Sequence, residues 1–198
     1  MCAIAGGKLT TYRVMAADAV DFALGERAKE RPCVTDQVPL LGATGLAALE
    51  NRAEEVAREY GWTTDDVTHL LDRYGSELPQ LLDLIAADPD LARPLAAAPH
   101  YLRVEVARAC TAEGAMHLED VLIQRVRLNS EQRDRGGAAL DEVAEIVARH
   151  LGWDEERTEA EKASYRERIQ AELAAEEQPT DALASATRRE AEDVVPVP

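Results

Sequence analysis

Two joints constrain this chain more than anything else in it: Tyr60-Gly61-Trp62 and Leu151-Gly152-Trp153 each set a glycine behind a helix-period apolar run. Glycine accepts the left-handed conformation that ends many helices, and the tryptophan that follows can fold back onto the last turn. Thr64 with Asp65 and Asp66, and Asp154 with Glu155 and Glu156, then supply cap oxygens and negative charge to the next helix start. Around these joints the apolar spacing predicts helices over Leu46–Tyr60, Asp65–Tyr74, Leu78–Ala87, Tyr101–Gly114, Leu118–Asn129, Leu140–Leu151 and roughly Glu159–Ala175. No strand pattern interrupts them. Alanine, leucine, glutamate and arginine dominate and aromatics make up only 4%, a balance that favours helix because these side chains lose little rotamer freedom there. The expected fold is all-α.

At 198 residues the chain can hold one domain with appendages. Its 22 lysines and arginines stand against 38 acidic residues, a net charge of -16 that repels nucleic acid and anionic lipid. No nucleic-acid partner is expected. Cys2, Cys33 and Cys110 are odd in number and far apart, which argues against a disulfide framework and against a metal site. The expected setting is the reducing cytoplasm. No apolar run reaches the roughly 18–20 residues that span a bilayer, so contact with the inner face of the plasma membrane is at most peripheral.

Composition also divides the chain. Met1–Ala5 is a short apolar lead that reads as a strand stub, and Gly6-Gly7-Lys8 turns into a helix with Leu9, Tyr12, Ala16, Ala19, Val20 and Ala23 on one face, stopped by Gly25. Arg31–Thr44 carries Pro32, Pro39 and Gly42 without a sustained period and reads as a connector. Asp88-Pro89, Arg93-Pro94 and Ala98-Pro99 predict an irregular stretch before Tyr101. Past Glu177 periodicity fades and Pro179, Pro196 and Pro198 gather, as in a disordered tail. The expected units are residues 1–30, a connector 31–44, a helical domain 45–176 and the tail 177–198.

Gly6-Gly7-Lys8-Leu9-Thr10-Thr11-Tyr12-Arg13 is the segment richest in chemistry. Two glycines let a backbone come close to a ligand, and the following helix aims unpaired N–H groups and a positive dipole end at it. Such a turn suits an anion or an electron-rich ring edge, with Lys8 as a point charge, Thr10 and Thr11 as hydroxyl donors and Arg13 as a planar fork. A plain glycine turn with an N-capping threonine is the competing reading. The glycine spacing is wrong for a P-loop, and the sequence contains no dinucleotide fingerprint.

This run, with Asp18, Ala19 and Val20 after it, resembles the segment that closes the FAD domain of FAD-dependent glycerol-3-phosphate dehydrogenases and α-glycerophosphate oxidases. Tyr74-Gly75-Ser76 resembles a helix end of the same family, and Tyr101, Glu105, Glu113, Leu118, Asp120, Leu122, Arg125 and Arg127 resemble the helix pair of its C-terminal domain. The resemblance implies a helical-bundle C-terminal domain preceded by a strand-turn-helix remnant of an FAD domain. It implies an oxidoreductase in which FAD takes hydride from C2 of glycerol 3-phosphate, giving dihydroxyacetone phosphate, with electrons passing to a quinone. By similarity Gly6, Gly7, Leu9, Thr10 and Thr11 would lie along the flavin edge and Lys8 near the substrate phosphate, with no catalytic residue in this stretch.

The expected partner is the FAD and substrate domain, in the same enzyme or as a split chain, with a homodimer as a further association. Without that domain the chain is expected to hold no FAD and to be inactive. The alternative is a stand-alone helical interaction module that has lost the reaction. Two departures stand out: Gln124-Arg125 where the family carries paired arginines, and His117 where it carries a hydroxyl residue.

Other candidates read as structural. His69, His100, His117 and His150 lack metal-site spacing. Asp65-Asp66, Glu119-Asp120 and Asp154–Glu156 read as helix-start charges. Leu118, Val121, Leu122 and Val126 read as core, and Leu140, Val143, Ala144, Val147 and Leu151 as a stripe that packs internally or meets a partner, with internal packing the favoured reading.

Overall fold

The structure, a computed structural model, describes residues 2–5, 7–191, 195 and 196. A 3₁₀ turn, Leu9–Thr11, leads into α1 (Tyr12–Leu24), which ends at Gly25 as the sequence predicts. Of Met1–Ala5, expected as a strand stub, Met1 lies outside the described residues and Cys2–Ala5 forms no strand, since it has no neighbour with which to exchange ladder bonds. A second 3₁₀ turn, Gly25–Glu30, passes into the connector.

The helical domain opens with α2 (Leu46–Glu50) and α3 (Ala53–Tyr60), two helices where one was expected. The break falls at Asn51 and Arg52, where asparagine's weak helix preference meets a non-helical backbone at Arg52. Gly61 then sits at φ 70 and Gly152 at φ 71, and the amides of Trp62 and Trp153 reach back to Ala57 O (2.8 Å) and Ala148 O (3.0 Å). These are the bonds of a Schellman turn. The Trp62 ring stacks on Tyr60 at 4.8 Å, and its Nε1 donates to Ala92 O at 2.8 Å. Thr63, rather than Thr64, caps α4 (Thr64–Tyr74), in a reciprocal box with Asp66.

After α5 (Leu78–Ala87), the stretch expected to be irregular contains a small antiparallel hairpin, β1 (Pro94–Leu95) with β2 (Ala98–Leu102), in the register Pro94 to Leu102 and Leu95 to Ala98. Pro99 keeps Ala98 extended, so α6 (Arg103–Thr111) starts two residues later than its apolar period suggested. Apart from this hairpin the described residues form an all-α fold. α6 lies at its centre, packed on α5, α8 and β2, with every residue from Val104 to Ala109 buried.

The expected helix Leu118–Asn129 is a π-helical turn, Asp120–Arg125, followed by α7 (Leu128–Glu131). Val126 N bonds Val121 O at 2.8 Å, one residue further than α-helical spacing, and Arg127 takes φ 57 between the two elements. Leu118, Val121, Leu122 and Val126 are nonetheless all buried, as read. α8 (Leu140–Leu151) turns Leu140, Val143, Ala144 and Val147 into the core against α6 and α9.

α9 (Glu155–Glu176) starts earlier than expected because Asp154 accepts from Arg157 N at 2.8 Å. Beyond it, where disorder was expected, α10 (Asp181–Arg188) forms under a Thr180 cap. Ala184, Ser185 and Thr187 are half-buried there, small enough for α10 to pack closely on α9. Among the described residues no helix is long and apolar enough to cross a membrane.

Candidate functional site

Gly7 to Thr11 form one exposed turn, and Gly6, also expected there, lies outside the described residues. Gly7 takes φ 93, a conformation that side-chain-bearing residues rarely adopt. Lys8 is extended and exposed, and its carbonyl closes the turn by accepting Thr11 N at 2.9 Å and Thr11 Oγ1 at 2.8 Å. The Thr11 hydroxyl therefore braces the turn instead of standing free as a donor. What the turn can offer is a helix start with a lysine ammonium beside it, the elements of a site for an anion or a polar ring edge.

Arg13 does not join that turn. Its Nη1 reaches across to Thr35 Oγ1 at 3.5 Å, into a cleft of about 600 Å³ between α1 and the connector, lined by Tyr12, Val20, Val38 and Leu41 among others. Thr35 Oγ1 is also 3.0 Å from Cys33 Sγ. Hydrogen bonds from the Thr35 side chain and backbone hold the Cys33 thiol below its ordinary pKa, and the Arg13 charge adds to this. Burial pushes Cys110 the other way, to about 12. Because the thiolate is the reacting form, Cys33 is expected to be alkylated by iodoacetamide before Cys110. Peptide mapping over time measures the order, and prior labelling of Cys110 would contradict it.

The apolar face of this arm stands open. None of the described residues up to Leu41 is buried, and Leu9, Phe22 and Leu41 are 89%, 77% and 86% exposed. The cleft was not legible in the sequence, since Arg13 and Thr35 lie 22 residues apart with only Pro32 and Pro39 to mark the return.

In the helical domain the polar groups cap and bridge. Asp120 Oδ2 accepts the amides of Met116 and His117, at 2.9 and 3.0 Å, and Asp66 and Asp154 hold helix starts, as read. His69 Nε2 lies 3.1 Å from both oxygens of Glu105, and His117 Nδ1 lies 2.8 Å from Glu161. Both carboxylates are buried, and neither pairing was read from the sequence. His100 is exposed on β2, and His150 Nε2 is buried without a partner.

The described residues thus form a helical domain around a central buried helix and carry an exposed glycine-lysine turn on an uncovered arm. A family model described as the C-terminal domain of alpha-glycerophosphate oxidase matches residues 33–158, and the chain belongs to that family. It is similar to glycerol-3-phosphate dehydrogenase 2 of Mycobacterium tuberculosis H37Rv, 48% identical over all of this chain and 35% of the relative. Glycerol-3-phosphate dehydrogenase of Mycobacterium leprae is 48% identical over 96% of this chain and 33% of its own length. The mitochondrial glycerol-3-phosphate dehydrogenase SDP6 of Arabidopsis thaliana is 32% identical over 83% and 28%. The chain thus spans about a third of the length of these curated relatives and matches their C-terminal part. No solved structure matches it significantly.

Proposed function

We propose that this chain is the C-terminal part of an FAD-dependent glycerol-3-phosphate dehydrogenase, packing through its N-terminal arm on the flavin and substrate domain of that enzyme. Bound FAD would supply the hydride acceptor that converts glycerol 3-phosphate to dihydroxyacetone phosphate, with a quinone as final acceptor. The observation that carries the reading is the open apolar arm, residues 7–41, in a chain similar over its whole length to dehydrogenases three times as long. Leaving Leu9, Phe22 and Leu41 in water is unfavourable by roughly 25 cal/mol per Å² of apolar surface, which favours a covering partner.

The residues present fit one edge of such a cofactor. Gly7 lets the backbone approach closely, and the start of the helix at Leu9–Thr11 favours negative charge at its end. Lys8 would hold the substrate phosphate as a point charge. The sequence offers no dinucleotide-binding turn, so FAD would be held chiefly by the partner domain, whether covalently continuous with this chain or separate. In this reading the enzyme works in the cytoplasm and touches the membrane at most peripherally.

Co-expression with the flavin domain of a close relative tests this. Flavin absorbance is expected to co-purify with this chain, and Lys8→Ala is expected to raise the KM for glycerol 3-phosphate by about tenfold or more, the worth of one charge-assisted hydrogen bond. If the chain folds but associates with no flavoprotein, the reading fails in favour of a stand-alone interaction module.

A further inference from the structure

We propose that the Tyr74-Gly75-Ser76 turn is a socket for the connector, fixing the point from which the flavin-facing arm leaves the helical domain. That the arm faces a flavin rests on the function proposed above; the socket rests on geometry. At the end of α4, Gly75 takes φ 55 and ψ −133, a region nearly closed to other residues. Against it lies Gly42, itself at φ 84. Ser76 N donates to Gly42 O at 2.8 Å, so backbone meets backbone with no side chain between.

Neither position has room for a methyl group. A Cβ on Gly75 would overlap the Gly42 carbonyl oxygen and come within 2.9 Å of Gly42 Cα, and one on Gly42 would come within 2.9 Å of Tyr74 O. Just beyond the contact, Leu46 and Leu49 pack on the core, and α2 lies against α4. Just before it, nothing described is buried. The first firm attachment of the arm to the helical domain is therefore this glycine pair, and whatever orients the arm must act through it. A Tyr-Gly-Ser turn at a helix end thus gains a role that helix termination alone does not require, since a bare cap leaves space around its glycine.

The test is residue-resolved amide hydrogen exchange on the full chain, comparing the parent with Gly42→Ala and Gly75→Ala. The Ser76 amide is expected to exchange at least tenfold faster in both variants. In Gly42→Ala the amides of Val104 and Val143 are expected to keep their parental rates. Should Gly75→Ala unfold the domain, Gly42→Ala still decides, because residue 42 lies outside every helix.

Spin labels on Cys33 and at His100→Cys, with Cys2→Ser and Cys110→Ala, read the orientation of the arm separately from stability. Their distance distribution is expected to broaden in Gly42→Ala. In Gly42→Ala, an unchanged Ser76 rate, an unchanged distribution, or a general rise in exchange through the core would each overturn the socket. Failure of flavin association in the co-expression experiment, with these results intact, would remove the flavin reading and leave the socket standing.

Discussion

Replacing Glu105 by alanine is expected to cost the helical domain about 3–5 kcal/mol, the loss usual when one partner of a buried ionic cluster is removed. Glu105 is fully buried on α6. Its carboxylate accepts Leu102 N at 2.9 Å, which starts the helix, and the Tyr74 hydroxyl at 3.1 Å. Arg73 Nε at 3.2 Å and His69 Nε2 at 3.1 Å complete the shell from α4. Burial, and then the Glu105 charge, push the Tyr74 phenol well above its ordinary pKa, so it remains a donor throughout the working range.

The alanine variant would leave Arg73 packed over the Tyr101 ring at 5.3 Å with its main counter-charge gone. Glu105→Gln keeps an acceptor for Leu102 N and should lose only the charge-assisted part, about 1.5–3 kcal/mol. Against a total stability of about 5–15 kcal/mol, urea unfolding followed by circular dichroism resolves both. An alanine variant within about 1 kcal/mol of the parent would show that water takes over the carboxylate's role.

Local chemistry was legible in the sequence, and chemistry assembled across the chain was not. Gly61-Trp62 and Gly152-Trp153 declared themselves because both the turn and the residue that closes it lie within a few positions. The same holds for the turn at Gly7–Thr11. The hairpin at Pro94–Leu102 was missed because its supports are distant: Ala96 N donates to Glu142 at 2.8 Å and Gln132 Nε2 to Ala97 O at 3.1 Å.

One extra residue in the π turn at Asp120–Arg125 leaves the apolar spacing of Leu118, Val121, Leu122 and Val126 nearly helical, so periodicity cannot reveal it. α10 was missed, because Pro179 and the polar surroundings masked the Thr180 cap of a helix that leans on α9. Glu105 and Glu161 look like ordinary surface charges in one dimension. Only the fold brings their partners on other elements, 31 to 44 residues away, within bonding distance.

Glu161 carries the second large effect, and it differs in reach. α9 is 22 residues long and mostly polar, and it buries Glu161, Tyr165, Ile169 and Ala175. The carboxylate at the head of that stripe lies 2.8 Å from His117 Nδ1, accepts Leu118 N at 3.1 Å and pairs with Arg157 at 2.5 Å. Next along, the Tyr165 hydroxyl donates to Arg135 O at 2.7 Å. His117, just before the π turn, and the buried Glu161 on α9 thus form one unit.

Glu161→Ala is expected to cost about 3–5 kcal/mol, since it leaves the mostly buried Arg157 guanidinium without its counter-charge and the Leu118 amide without its acceptor. His117→Ala should cost less, because the Arg157 pair and the Leu118 bond survive it. The loss on Glu161→Ala should be similar in about 0.1 M and about 1 M salt, because buried pairs are screened far less than exposed ones. Hydrogen exchange should rise first in α9 and α10 while α4 and α6 stay protected. A Glu161→Ala variant as stable as the parent would mean that α9 is held by Tyr165 and Ile169 alone, and that the His117 pairing contributes nothing to the fold.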